Sequence, residues 1–570
     1  MELKRELNQC RELIDLQLYS KAAVRLSALA KAFPENHAIP YTAGRMYLEQ
    51  GLFPRAIEAF STTAALIPEN DDAWRRQLET ALALTNAGNG NWHPAERLLR
   101  QKRLPQDTPQ TLVDTALLHV ELHNYKEALN YLIPACAKND AHAFYYTANI
   151  FYIHDKPDEA IRVLKNAVKL NPRLISAYAL MGTIFQSQKR FKDSIGIFSR
   201  ALAISPNAQN ADLIHYELAN SFYESGVLAQ AIKHFNITSE KFIQSPLRIS
   251  AKRISKNLMR NRNRKLPGTA LEFPRQIQKR TQCVPATISN ILAYWCISAR
   301  PEDIARAISD NGVRIEKISG FLRKKGLQTV ETPGTISLIK KALLREIPVI
   351  ADEYFGMEGH LMAITGFDDN KGVFYAQDPN YYETAEITYR EFVINWRQNG
   401  NWMLLTAPPG CACKLEKLDI SADGINALAL AQKAQASQEK ALHSKGISRR
   451  KILTESSGLA HDSIKIRPDL PLPYRIIMEN HFLADRIKDA LKISEICKKK
   501  FKTLYWVWRY TGDALLKSGR NRNAIEHYER ALAYFSADRE LFENMAKAYG
   551  HLKNLKKAVY YQKKSQDVIL

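Results

Sequence analysis

The chain has 570 residues, 45% hydrophobic and 25% charged, an ordinary globular balance that excludes global disorder and leaves room for three or four domains. Its formal net charge of +22 asks for an acidic partner or a local explanation, and its seven cysteines (10, 136, 283, 296, 411, 413 and 497) are too scattered for a disulfide framework. No window approaches the unbroken apolar length of a membrane span, and Met1-Glu2-Leu3-Lys4-Arg5-Glu6 has no signal-peptide core. A chain in the reducing cytoplasm is expected, although export by a signal-less route leaves no trace in sequence.

From the N-terminus, small residues recur every 34 positions, as at Ala22 and Ala56 and at Ala160 and Ser194. A second small residue precedes several of these by twelve positions: Gly44, Ala148 and Gly182. Tyr47, Phe60, Phe198 and Phe235 hold the matching aromatic positions, and Pro34, Pro68, Pro172 and Pro206 close four units. The pattern resembles tetratricopeptide repeats: small residues let paired helices approach, aromatics fill the gap, and proline ends the second helix. About seven units fit into 1–245. One such pair cannot bury its own face, so the units stack into a solenoid, and the resemblance implies a protein partner on its concave surface.

The stretch 246–273 reads as a basic linker, with Arg248, Lys252, Arg253, Lys256, Arg260, Arg262, Arg264 and Lys265 nearly unopposed. It offers a weak contact for nucleic acid or anionic lipid. Lacking interleaved aromatics, it fits a solvated helix or an acidic-partner dock better.

Helices are predicted next over Ile288–Trp295, Pro301–Ile308 and Arg314–Lys325, and from Gly334-Thr335 through Leu344. Strands are predicted at Ile347–Ala351, Leu361–Phe367 and Val373–Ala376. Helices first and an antiparallel sheet second describe an α+β domain. Cys283 stands at the mouth of the first helix, where orphan N–H groups and the positive end of the dipole favour a thiolate. His360 opens the second strand and Asp378 follows the third, so pairing of these strands brings carboxylate and imidazole together. Gln278, with Gln276 as a rival two residues away, can supply an amide donor to an oxyanion.

These residues, Gln278, Cys283-Val284-Pro285-Ala286, His360 and Asp378-Pro379, resemble the pattern of the C39-like cysteine peptidases, which have a papain-like fold. The resemblance covers about a quarter of the chain, from about Pro274 to Leu405. Val284 departs from it, since the family usually has Gly there, and a β-branched residue narrows the room beside the thiol. The resemblance implies peptide hydrolysis without a cofactor. Its relatives cut leader peptides after paired small residues and are usually fused to a transporter, a part this chain lacks.

After 408 an Ala/Gln/Lys-rich helix over Ala427–Ala441 breaks at His443-Ser444-Lys445-Gly446, and Pro468, Pro471 and Pro473 read as an extended entry to about three further repeats in 475–570. There Ala490, Ala524 and Ala558 repeat the spacing, with Gly512 and Tyr528 in the paired positions. Cys411-Ala412-Cys413 lacks a second Cys/His pair at a zinc-like spacing, and no metal is expected.

The expected architecture is multidomain: all-α repeat solenoids at 1–245 and 475–570, a basic linker at 246–273, an α+β papain-like domain at 274–408, and a helical or irregular linker at 409–474. The expected function is a cysteine peptidase acting through Cys283, His360, Asp378 and Gln278 on a peptide or protein recruited by the repeats. The alternative is a catalytically inactive scaffold of the same architecture.

Overall fold

A computed structural model describes all residues except 1, 69, 101–106, 275–282, 309–314, 356–357, 380–381, 536–537 and 568–570. The chain divides into two compact units, 1–263 and 264–570.

The first unit is built from antiparallel helix pairs, beginning with Glu2–Asp15 and Tyr19–Ala32 and ending with Ala211–Glu224 and Leu228–Lys241, seven pairs among the described residues. Inside a pair the approach depends on glycine. A Cβ on Gly44 would lie 2.5 Å from the Phe60 ring, and one on Gly182 would lie 2.5 Å from Phe198. Both rings are buried, so neither can swing aside cheaply. Gly182→Ala is therefore expected to destabilise the solenoid by about 1–3 kcal/mol through overpacking. Urea unfolding should show the loss, and Gly182→Ala with Phe198→Leu should recover much of it; an unchanged midpoint for the single variant would contradict this packing.

The solenoid also turns back on itself. Asp15, at the end of the first helix, bonds His142 of the fifth pair at 3.1 Å and Asn171 at 2.8 Å, while Ser205 donates to the Leu16 carbonyl at 2.8 Å. The concave surface expected from the repeats is thus spanned in part by the chain's own first helix, and a cavity of about 470 Å³ beside it is lined by Asp15, Arg45, Glu49 and His142.

The segment assigned to a basic linker is different. Arg248–Asn261 is a helix packed against Leu228–Lys241, with Ala251, Ile254 and Leu258 buried. It covers the last repeat pair and keeps its basic residues on the outer face, as an amphipathic end helix does. Residues 268–270 are not linker either, since they form a strand of the next unit.

In the second unit seven strands make one antiparallel sheet: β1 Gly268–Ala270, β2 Gln328–Pro333, β3 Val349–Phe355, β4 Glu358–Asp368, β5 Val373–Gln377, β6 Ala385–Thr388 and β7 Trp402–Ala407. The order is β2-β7-β3-β4-β5-β6, with β1 paired to β4. Strand β1 runs so close to β4 that a Cβ on Gly366 would meet the Thr269 carbonyl at 2.5 Å. Helices Cys283–Tyr294, Pro301–Ile308 and Ile315–Lys324 cover one face through Ile288, Ile291, Ile304 and Leu322. Helices Ile336–Leu343 and Tyr389–Trp396 cover the other through Ile339, Phe392 and Trp396.

The expected linker 409–474 is mostly ordered packing. Ala422–Leu442 and Gly446–Ile466 form a long antiparallel hairpin, in which Ser456 and Ser463 each donate at 2.7 Å to a carbonyl of the facing helix. Buried Ala427, Ala431 and Ala434 permit that approach. Pro471 and Pro473 lie in the first turn of helix Pro471–Leu483 instead of an extended entry, where a missing N–H costs no helical bond. That helix opens three helix pairs that end at Asp567. This array is bolted to the sheet domain: Gln398 donates to Thr503 O at 3.3 Å and accepts from Tyr505 N at 2.8 Å, and Gln432 donates to Glu331 of β2 at 2.6 Å.

Candidate active site

Cys283 is the first residue of helix Cys283–Tyr294 and is only partly buried. The next turns are apolar and sink into the layer under the sheet face, which leaves the helix start at the rim. Thr287, one turn on, donates to the Leu361 carbonyl of β4 at 2.9 Å. This bond fixes the cysteine's helix against the strand that carries His360. In sequence Thr287 is one of two aliphatic hydroxyls in an apolar helix, with nothing to mark its partner.

His360 and Asp378 meet because β4 and β5 are neighbours, with Ala363 opposite Gln377. The register shifts between Ile364 and Gly366, a bulge that re-aims the side chains beyond it. His360 Nε2 lies 2.8 Å from Asp378 Oδ1, and each side chain is 15% exposed. Cys283 lies close enough to His360 to act on the proton affinity of its ring. Burial alone would lower the imidazole pKa. The bond to Asp378 and the nearness of Cys283 outweigh it and push the pKa up to about 10.

The folded pKa is raised above the ordinary imidazole value, so the stability it contributes is complete below about 6.5 and is lost as pH rises through about 10. The stability difference between the wild type and His360→Gln should accordingly shrink as pH is raised from 6.5 towards 10, followed by denaturant titration at each pH. A gap that widens over that range would mean the imidazole is not held as a cation.

Of the four expected site residues, Cys283, His360 and Asp378 come together. Gln278 and its rival Gln276 lie outside the described residues. Val284 packs partly buried against the apolar cluster between helix and sheet. Cys411 packs partly buried beside the opposite core cluster, and Cys413 is exposed. Among the described residues no group of three or more His, Cys, Asp or Glu gathers as a metal site. No described helix is long and apolar enough to cross a membrane.

An antiparallel sheet with a cysteine helix across one face, and a His–Asp pair on adjacent strands, defines the α+β papain-like class. Residues 270–403 match the Peptidase_C39 like family, and 7–71, 113–175 and 511–567 match the tetratricopeptide repeat. The chain therefore carries a C39-peptidase-like domain with tetratricopeptide repeats on both sides. No curated protein matches it. Two solved structures, MamA AMB-1 and MamA MSR-1, are each 19% identical. Each alignment spans 29% of this chain, with 99% and 95% of theirs and TM-scores of 0.26 and 0.25.

Proposed function

We propose that the chain is a cysteine peptidase whose substrate is a peptide or protein brought in by the repeats. The observation that carries this reading is the His360–Asp378 pair at 2.8 Å with the helix-start thiol of Cys283 close enough to act on the imidazole. In this reading Cys283 attacks the scissile carbonyl as thiolate. His360 holds the thiol proton and delivers it to the leaving amine, and Asp378 orients the ring. The Cys283 N–H and Gln278 stabilise the oxyanion. The chain would act in a reducing compartment such as the cytoplasm, where its seven free thiols persist.

The test is labelling with a thiol-directed electrophile at neutral pH. Cys283 should react faster than exposed Cys296 and Cys413, and the fast phase should vanish in Cys283→Ala. Reaction of Cys283 at the rate of those exposed thiols would sink the catalytic reading. A non-catalytic scaffold is the second reading, favoured by Val284 in place of the family's usual glycine. Removing 1–263 separates recruitment from chemistry: the fragment 264–570 is expected to keep the fast labelling and to lose affinity for the natural substrate, because each unit has its own compact core. Loss of labelling by a folded fragment would instead place part of the site in the removed unit.

A further inference from the structure

A cleft of about 650 Å³ opens where the sheet domain meets the C-terminal helical array, and its lining is strongly unbalanced in charge. Lys341, Arg397, Arg467, Lys500 and Lys502 face it, against only Asp419 and Asp469. Asp469 is spent on Arg467, its Oδ2 lying 2.6 Å from the guanidinium. Lys500 donates to the Pro468 carbonyl at 3.4 Å, lies over the face of Tyr474 and helps to lower the Asp469 pKa, but forms no salt bridge among the described residues. Lys341, Arg397 and Lys502 are exposed and enter no salt bridge among the described residues.

The backbone adds to this field. Thr335, Ser421, Leu470 and Leu504, each the cap residue before a helix, all line the cleft, so four helices begin at its wall. Each brings the positive end of its dipole. Solvated lysines alone are a common surface feature. Here a walled cleft, unpaired cations and four helix starts coincide, and all of them favour a negative occupant.

We propose that this cleft is an exosite for an acidic segment of a peptide or protein. Calling the occupant a substrate rests on the peptidase reading; its binding does not. The strand registers carry the link to the site. Pro333 pairs with Trp402, Met403 with Ala351, Ala351 with Met362, and Ala363 with Gln377, so the cleft's Pro333 lies at the same end of the sheet as His360 and Asp378. An extended chain crossing that end can occupy both. A nucleic acid fits less well: Phe501, the aromatic residue of the lining, is only 9% exposed and provides no stacking platform.

The experiment uses the full-length Cys283→Ala protein, so that nothing is cleaved, and a fluorescein-labelled oligoglutamate peptide followed by anisotropy. Reversing Lys341, Arg397, Lys500 and Lys502 to Glu should weaken binding by about tenfold or more. The same number of reversals on the outer basic run, at Lys252, Lys256, Arg260 and Lys265, should change it by less than about twofold. All eight side chains are exposed, and circular dichroism checks that both variants fold. Equal losses in the two variants would reduce the effect to net charge and overturn the exosite. So would displacement of the peptide by inorganic phosphate or an oligonucleotide at lower concentration than by unlabelled oligoglutamate. In the protein with native Cys283, the cleft reversals should leave electrophile labelling intact. Failure of labelling in the wild type would remove the peptidase reading while leaving the binding result standing.

Discussion

His360→Ala is expected to slow alkylation of Cys283 at pH 7 by about tenfold or more, with the fold retained. The thiolate is the reactive form of any cysteine, and a few per cent of it is present at neutral pH when no cation stands beside the thiol. In the proposed mechanism His360 is that cation: against the effect of burial, its bond to Asp378 and the nearness of Cys283 push its pKa up to about 10. Asp378→Asn should give an intermediate loss, because an amide can still hold Nε2 at the observed 2.8 Å but carries no charge. The measurement is the second-order rate constant for iodoacetamide, read by mass spectrometry at Cys283, with Cys413 as an exposed internal reference. Equal rates for the wild type and His360→Ala would leave the three residues as a structural cluster and favour the scaffold.

Arg45→Met should destabilise the first unit by about 3–5 kcal/mol, the cost of leaving a buried charge without its partner. Asp114 is fully buried on helix Pro109–Glu121, where its Oδ1 accepts from Arg45 Nη1 at 2.6 Å and from Gln110 Nε2 at 2.9 Å. Burial raises the Asp114 pKa, and Arg45 opposes that rise. Without the guanidinium the carboxyl can escape its cost only by taking a proton. The destabilisation should therefore ease as pH falls and grow as pH rises. Hydrogen exchange of amides in Pro109–Glu121 reads the effect locally, which matters in a chain of two units. The double variant Arg45→Met with Asp114→Leu should recover most of the loss, since it leaves neither charge stranded. Exchange in Arg45→Met that matches the wild type would mean the pair is solvated enough to be dispensable.

Cys283, His360 and Asp378 could be picked from sequence because each sits in a distinctive local setting: a helix start, a strand start, and the end of the next strand. Their flanks carry the periodicity that places them. What the sequence hid is the fastening. The Thr287 bond to the Leu361 carbonyl crosses 74 residues, and neither residue advertises the other. Strands β1, β2, β6 and β7 are not marked by the sequence pattern that predicts the other three. Gln328–Pro333 is largely polar, and it is a strand because β7 offers it a partner; β7 itself, buried throughout, lay in a run that could have been recognised. In Arg248–Asn261 a dense run of charge masks Ala251, Ile254 and Leu258, whose spacing marks one buried helical face.

Sequence by itself determined the repeat pairs, since a small residue opposite an aromatic at fixed spacing specifies how two adjacent helices touch, as Gly44 does with Phe60 and Gly512 with Tyr528. It determined, too, the order of thiol, imidazole and carboxylate along the sheet domain, because helix and strand periods are local properties. Only the tertiary structure decided that the first helix returns to meet the fifth and sixth pairs through Asp15 and Leu16, and that four helices begin around one basic cleft. Those outcomes depend on small rotations accumulated over many stacked pairs and on docking between residues far apart in the chain, such as Gln398 and Tyr505. No local pattern records the sum of such rotations, so the chain must be folded before the groove is seen to be spanned and the cleft to exist.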